Sequence, residues 1–260
     1  MNKNIAIKFE NVTKTFYDRK GNGKKAVDDV SFEIYDGEFI TILGSSGCGK
    51  STVIKMINRL IELTDGNICY YGKNIKDMDE IELRREIGYV VQNIGLFPHM
   101  TVEKNIGTVP ELLKWDKDKT RKKTAELLEL VHLNPEEYMS KYPDQLSGGQ
   151  QQRVGVARAL AANPKVMLLD EPFGAIDAIT RSSLQQELLK IHNKVGGTFI
   201  FITHDISEAL LLGTRVLIMD EGKICQFGTP EEILKNPGTD FVKNLIDTVR
   251  EQNRLWSENL

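Results

Sequence analysis

Short apolar runs alternate along this chain with longer stretches in which apolar residues recur every three or four positions. Glu38-Phe39-Ile40-Thr41-Ile42-Leu43 reads as a buried strand, followed by a glycine-rich loop and an amphipathic stretch over 50–60. Strand-like runs recur at 87–91, 166–169, 198–202 and 215–219, with a helix expected at 177–194. Asn67-Ile68-Cys69-Tyr70-Tyr71, closed by Gly72, has the look of a hairpin arm. From about 101 to 163 the period is helical, most clearly over 119–133. Strands alternating with helices predict an α/β fold with a largely parallel sheet, and the helical block predicts an insertion into it. The loop at 18–25, rich in Lys and Gly, is expected to be exposed.

Composition narrows the function classes. The chain has 260 residues, 40% of them hydrophobic, enough for one large domain with a sizeable core. A formal net charge of −3 argues against broad electrostatic binding to nucleic acid or to an anionic membrane. Apolar runs of four or five residues are far too short to span a bilayer, and no signal peptide is expected from the polar start Met1-Asn2-Lys3-Asn4. Three scattered cysteines, Cys48, Cys69 and Cys225, describe neither a disulfide framework nor a zinc site and fit a reducing compartment.

The candidate chemistry starts at Gly44-Ser45-Ser46-Gly47-Cys48-Gly49-Lys50-Ser51-Thr52, which fits the phosphate-loop pattern G-x-x-x-x-G-K-[ST]. Glycines let the backbone turn its N–H groups toward phosphate oxygens, and the helix that follows adds the positive end of its dipole. Lys50 is expected to reach the β- and γ-phosphates of ATP, and the Ser51 hydroxyl to ligate Mg²⁺. Such a match can be an ordinary strand–helix turn, but the buried strand before it and the helix after it favour the phosphate reading. Val166-Met167-Leu168-Leu169-Asp170-Glu171 is an apolar strand ending in two acids. Asp170 suits a Mg²⁺ contact and Glu171 can face an attacking water. Cys48 sits beside Lys50 and a helix N-terminus, both of which are expected to lower a thiol pKa, so ATP-protectable labelling is expected there.

Leu146-Ser147-Gly148-Gly149-Gln150 completes a set of motifs that resembles the ATP-binding-cassette ATPases of ABC transporters. The resemblance runs from about 5 to 246. It implies a P-loop NTPase, RecA-like core with a parallel sheet, an antiparallel β subdomain and a helical subdomain at about 93–163. It implies that Ser147, Gly148, Gly149 and Gln150 face the γ-phosphate held by an opposite subunit, so that ATP joins two copies head to tail. Gln92 matches the residue that touches Mg²⁺ and water, Asp177 the loop that communicates across the dimer, and His204 the switch that holds Glu171 and the γ-phosphate in register. Phe16 aligns with the aromatic that stacks on adenine, with Tyr17 as the adjacent alternative. Ile176 stands where most relatives have Leu.

The stretches 89–102, Val109-Pro110 and 154–160 sharpen the resemblance to importers of osmoprotectants such as glycine betaine, choline, carnitine and proline betaine. That implies permease subunits, a substrate-binding protein acting through them, no nucleic acid, and a peripheral place on the cytoplasmic face of the membrane. The segment 94–102 is the expected permease contact, with a buried loop on the helical subdomain as the alternative. Residues 247–260 read as a short polar tail, without the pair of regulatory domains many such importers carry. Trp115 and Trp256 are far apart, so no aromatic cage for cargo is expected. Competing readings are an importer of another small solute, a soluble cassette ATPase, a GTPase and a nucleotide-binding scaffold. Asn193-Lys194-Val195-Gly196 lacks the aspartate a guanine site needs, and intact Glu171 and His204 argue for turnover.

Overall fold

A computed structural model describes residues 4–92, 95–174 and 177–258, and it divides into two compact units: 1–79 with 200–260, and 80–199. In chain order the strands are β1 (Ile5–Tyr17), β2 (Gly23–Tyr35), β3 (Phe39–Gly44), β4 (Asp65–Tyr70), β5 (Lys73–Asn74), β6 (Ile87–Val90), β7 (Val166–Asp170), β8 (Thr198–Thr203), β9 (Arg215–Asp220) and β10 (Lys223–Gly228). The helices are α1 (Lys50–Ile57), α2 (Glu80–Glu86), α3 (Val102–Leu112), α4 (Lys117–Leu130), α5 (Pro135–Tyr138), α6 (Gly148–Leu160), α7 (Ala178–Val195), α8 (Ile206–Leu212), α9 (Pro230–Lys235) and α10 (Asp240–Glu258). Asn93, Ile94, Ala175 and Ile176, which belong to stretches carrying the resemblance, lie outside the described residues.

The first unit holds an antiparallel sheet in the order β2-β1-β4-β5. The arm read at 67–71 is β4, and it turns into β5 through Tyr71 and Gly72, both at positive φ, as a two-residue hairpin whose twist matches the strands requires. A second sheet in this unit pairs β3 in parallel with β9, and β9 in antiparallel with β10. Glu221 and Gly222, again both at positive φ, make the tight turn between β9 and β10. All six residues of β3 and of β8 are buried, as expected for strands covered on both faces. Leu43, Val216, Ile218, Ala209, Ile233, Val242 and Ile246 form one apolar cluster under α8, α9 and α10. The stretch read as a polar tail from 247 continues α10 to Glu258. Val242 and Ile246, one turn apart, anchor this helix in the core.

The second unit contains the helical block and more: α2 to α7 together with the parallel pair β6 and β7. Helices α3, α4 and α6 pack on one another, and Val102, Ile106, Leu127, Leu128 and Val154 on them are buried. The turn 97–101 is tied to α3 by Asn105, a fully buried amide. Asn105 accepts from the Phe97 N–H and donates to the carbonyls of Phe97, Met100 and Thr101.

Candidate functional site

In the first unit the phosphate loop is shaped by backbone from distant segments. A Cβ on Gly44 would run into the Met219 carbonyl and the Cys48 sulfur, and one on Gly49 into the Ala26 carbonyl. Gly49 also has φ 109°, a conformation side chains rarely adopt. The turn at Gly222 fastens the loop, its N–H donating to the Cys48 carbonyl at 3.1 Å while its own carbonyl accepts from the Asp28 N–H at 2.9 Å. Lys50 is buried at the start of α1, and its ammonium donates to the carbonyls of Gly44 and Ser45 at 2.8 and 2.9 Å. The Ser45 hydroxyl donates to Asp220 at 3.0 Å. Asp220 was not singled out in the sequence, although an acid closing an apolar strand is the same signal that marked Asp170. Ser51 and Thr52 follow, half-buried, on α1.

One sequence expectation fails here. Cys48 is buried, and its thiol is raised, not lowered: burial outweighs the pull of the Lys50 ammonium. A maleimide at pH 7 is therefore expected to modify Cys48 far more slowly than a free thiol, with the rate climbing as the pH passes above 9. Peptide mapping of the labelled native protein, against the same protein in denaturant, reads this directly. Fast native labelling of Cys48 at neutral pH would contradict it.

His204 follows β8 in the same unit and is exposed. Its neighbour Asp205 caps α8 by accepting from the N–H groups of Ser207 and Glu208. Phe16 and Tyr17, at the end of β1, are both exposed, and the Lys14 ammonium lies 5.0 Å from the Phe16 ring centre.

In the second unit Asp170 ends β7 buried, and the Tyr89 hydroxyl approaches its Oδ2 at 3.5 Å. Burial, then the Asp170 charge, push the Tyr89 phenol well above its ordinary value. Glu171 has φ 45°, an uncommon backbone for a residue with a side chain. The Gln92 amide donates to its Oε2 at 3.3 Å, so the structure brings these two sequence-picked residues together. Ser147 caps α6 in a reciprocal box: its hydroxyl accepts from the Gln150 N–H, and the Gln150 side chain accepts from the Ser147 N–H. Gln150 then donates to the Tyr138 hydroxyl at 2.9 Å, a partner that sequence spacing could not reveal. Ser147 and Gly148 are exposed at the helix start, where an anion is favoured. Asp177 caps α7, and the Thr180 N–H it accepts holds its carboxyl below the usual range.

Residues 27–174 match the family described as ABC transporter. The chain belongs to the ABC transporter family. This family member is 53% identical over 94% of its length to the glycine betaine/carnitine/choline transport ATP-binding protein OpuCA of Bacillus subtilis. It is 48% identical over 96% of its length to the osmoprotectant import ATP-binding protein OsmV of Salmonella typhimurium. It spans 63% of the first of these relatives and 65% of the second. Among solved structures it is similar to the ATP-binding cassette MJ0796 in a dimeric post-hydrolysis state bound to ADP and Pi. That likeness has a TM-score of 0.77 at 36% identity and covers 86% of this chain and 98% of that one. The P-loop NTPase fold read from the sequence is thus borne out.

Proposed function

We propose that this chain binds and hydrolyses ATP as one of two identical cassettes that energise an importer of betaine-like quaternary ammonium solutes. The observation that carries the reading is the phosphate loop, with its glycine-only cradle, in a chain so similar to transport ATP-binding proteins named for such solutes. No helix among the described residues is long and apolar enough to cross a membrane. By its likeness to transport ATP-binding proteins, the proposed place is peripheral, on the cytoplasmic face, against permease subunits reached through a segment around 94–102. A substrate-binding protein would act through the permease.

The residues present fit Mg-ATP. Gly44 and Gly49 admit backbone where no side chain could stand, and Gly47, at φ 79°, has open space beside its Cα. The backbone from Gly44 to Thr52, with Ser45, Ser46 and Cys48, would line the phosphates. Lys50 would exchange its bonds to the Gly44 and Ser45 carbonyls for phosphate oxygens. Ser51, Gln92 and Asp170 offer hydroxyl, amide and carboxylate oxygens, the hard donors Mg²⁺ takes. The metal, when bound, supplies neutralisation of phosphate charge. Glu171 would take the proton of the attacking water, Gln92 and His204 would orient it, and Phe16 would stack on adenine. Ser147, Gly148, Gly149, Gln150 and Asp177 would serve the ATP of a second copy.

The isolated chain is expected to hydrolyse ATP in the presence of Mg²⁺, at a rate that glycine betaine, choline and carnitine leave unchanged, because cargo meets only the receptor and permease. Cells lacking the chain should lose uptake of labelled glycine betaine, choline or carnitine. Absence of ATPase activity would overturn the enzymatic half of the reading, and undiminished uptake of all three would overturn the cargo half.

A further inference from the structure

Helices α6 and α7 carry at their starts Ser147 and Asp177, the two points proposed above to meet a second copy. Their packing is close at the top. Gly149 sits so near α7 that a Cβ there would stand 3.0 Å from the Thr180 methyl, and Thr180 is the residue whose N–H Asp177 caps. Farther down, Val156, Phe173, Leu184 and Leu188 meet Arg153 and Glu187 around a cavity of about 20 Å³. The buried Gln152 Nε2 has no hydrogen-bond partner there. Apolar contact is non-directional and sets no register by itself.

A directional contact also joins the two helices. Arg153, one turn below Gly149, donates from Nη2 to Glu187 Oε1 at 2.8 Å. The two side chains are only 21% and 13% exposed. Arg153 Nη1 also reaches toward the carbonyls of Val131 and His132, at the end of α4, at 3.5 Å. A largely buried ion pair is a weak source of stability, because desolvation offsets attraction, but it fixes which residues stand opposite each other.

We propose that Arg153 and Glu187 are a positioning pair: they lock the register of α6 against α7, and so present Ser147 and Asp177 at one fixed spacing to a second copy of this chain. The proposal rests on the ATP-driven pairing of cassettes above. Neither residue belongs to the phosphate loop or to the two helix starts, and the pair acts only through those starts.

The test uses the full chain carrying Glu171→Gln, with ATP-dependent dimerisation followed by light scattering, single-chain ATP affinity by a fluorescent ATP analogue, and melting temperature alongside. Arg153→Gln or Glu187→Gln is expected to weaken the dimer by about tenfold or more. Single-chain ATP affinity should stay within about twofold, since the variants leave the phosphate loop intact. Arg153→Lys, which keeps the charge, should retain most of the dimer. The double variant Arg153→Met/Glu187→Leu removes both charges and should recover the melting temperature, yet its dimer should stay weak. A dimer that returns with the melting temperature in that variant would make the pair merely structural and overturn the proposal. So would single variants with an unchanged dimer. A Glu171→Gln parent that never dimerises with ATP would defeat the underlying reading itself, a failure recognisable because it precedes any change at Arg153.

Discussion

Changing Glu171 to Gln is expected to slow ATP hydrolysis by about 10²–10⁴-fold, the usual cost of removing a general base. Glutamine keeps the size of the side chain and its capacity to accept from Gln92, but it cannot take a proton from water. ATP binding should survive, because the phosphate loop lies elsewhere in the chain and is built from Gly44, Gly49 and Lys50. Single-turnover hydrolysis measured beside equilibrium ATP binding separates the two. Near-normal turnover in this variant would show that another group is the base. Glu171 also holds φ 45°, a conformation that costs a side chain about 1–3 kcal/mol and that Glu221 shares in its tight turn, so the assignment rests on the loss of turnover and not on the backbone.

The largest expected effect on stability lies in the first unit's core. Phe201, in the middle of β8, is fully buried, with its ring centre 6.1 Å from that of Phe39 on β3. Replacing Phe201 by Ala removes a large apolar surface and leaves a cavity that packed strands fill poorly, at a cost of about 3–5 kcal/mol. For a chain of this size that corresponds to a fall in melting temperature of roughly 10 °C. Thermal unfolding followed by circular dichroism reads the shift. A fall of only a degree or two would mean that the neighbourhood of β8 collapses around the void. Because β8 leads directly to His204, ATPase activity is expected to suffer before the fold is lost.

Much of the fold and most of the candidate site could be read from the sequence because their signals are contiguous. The phosphate loop, the acidic strand end and Leu146-Ser147-Gly148-Gly149-Gln150 each place the needed groups within a few residues, so local backbone chemistry is enough to recognise them. The mostly apolar runs of β3, β7 and β8 likewise announce buried strands, and residues 119–133 announce most of α4. The long strands β1 and β2 were harder to read. Their pairing contains several bulges, which break the two-residue alternation on which a strand reading depends. The helix past residue 247 was hidden by its polar composition, since its anchorage depends on where Val242 and Ile246 pack.

Tertiary structure alone decided the rest. Sequence neighbours argued for a reactive Cys48, but Ala26, Met219 and Gly222 close around its loop from distant parts of the chain, and desolvation reverses the sign. The contact of Gln92 with Glu171, the Ser45–Asp220 bond and the Arg153–Glu187 pair join residues 79, 175 and 34 positions apart. Local pattern fixes which groups a segment carries and whether its backbone can curl around an anion. Burial and the partners of each charge depend on distant segments, and those are set only when the whole chain has packed.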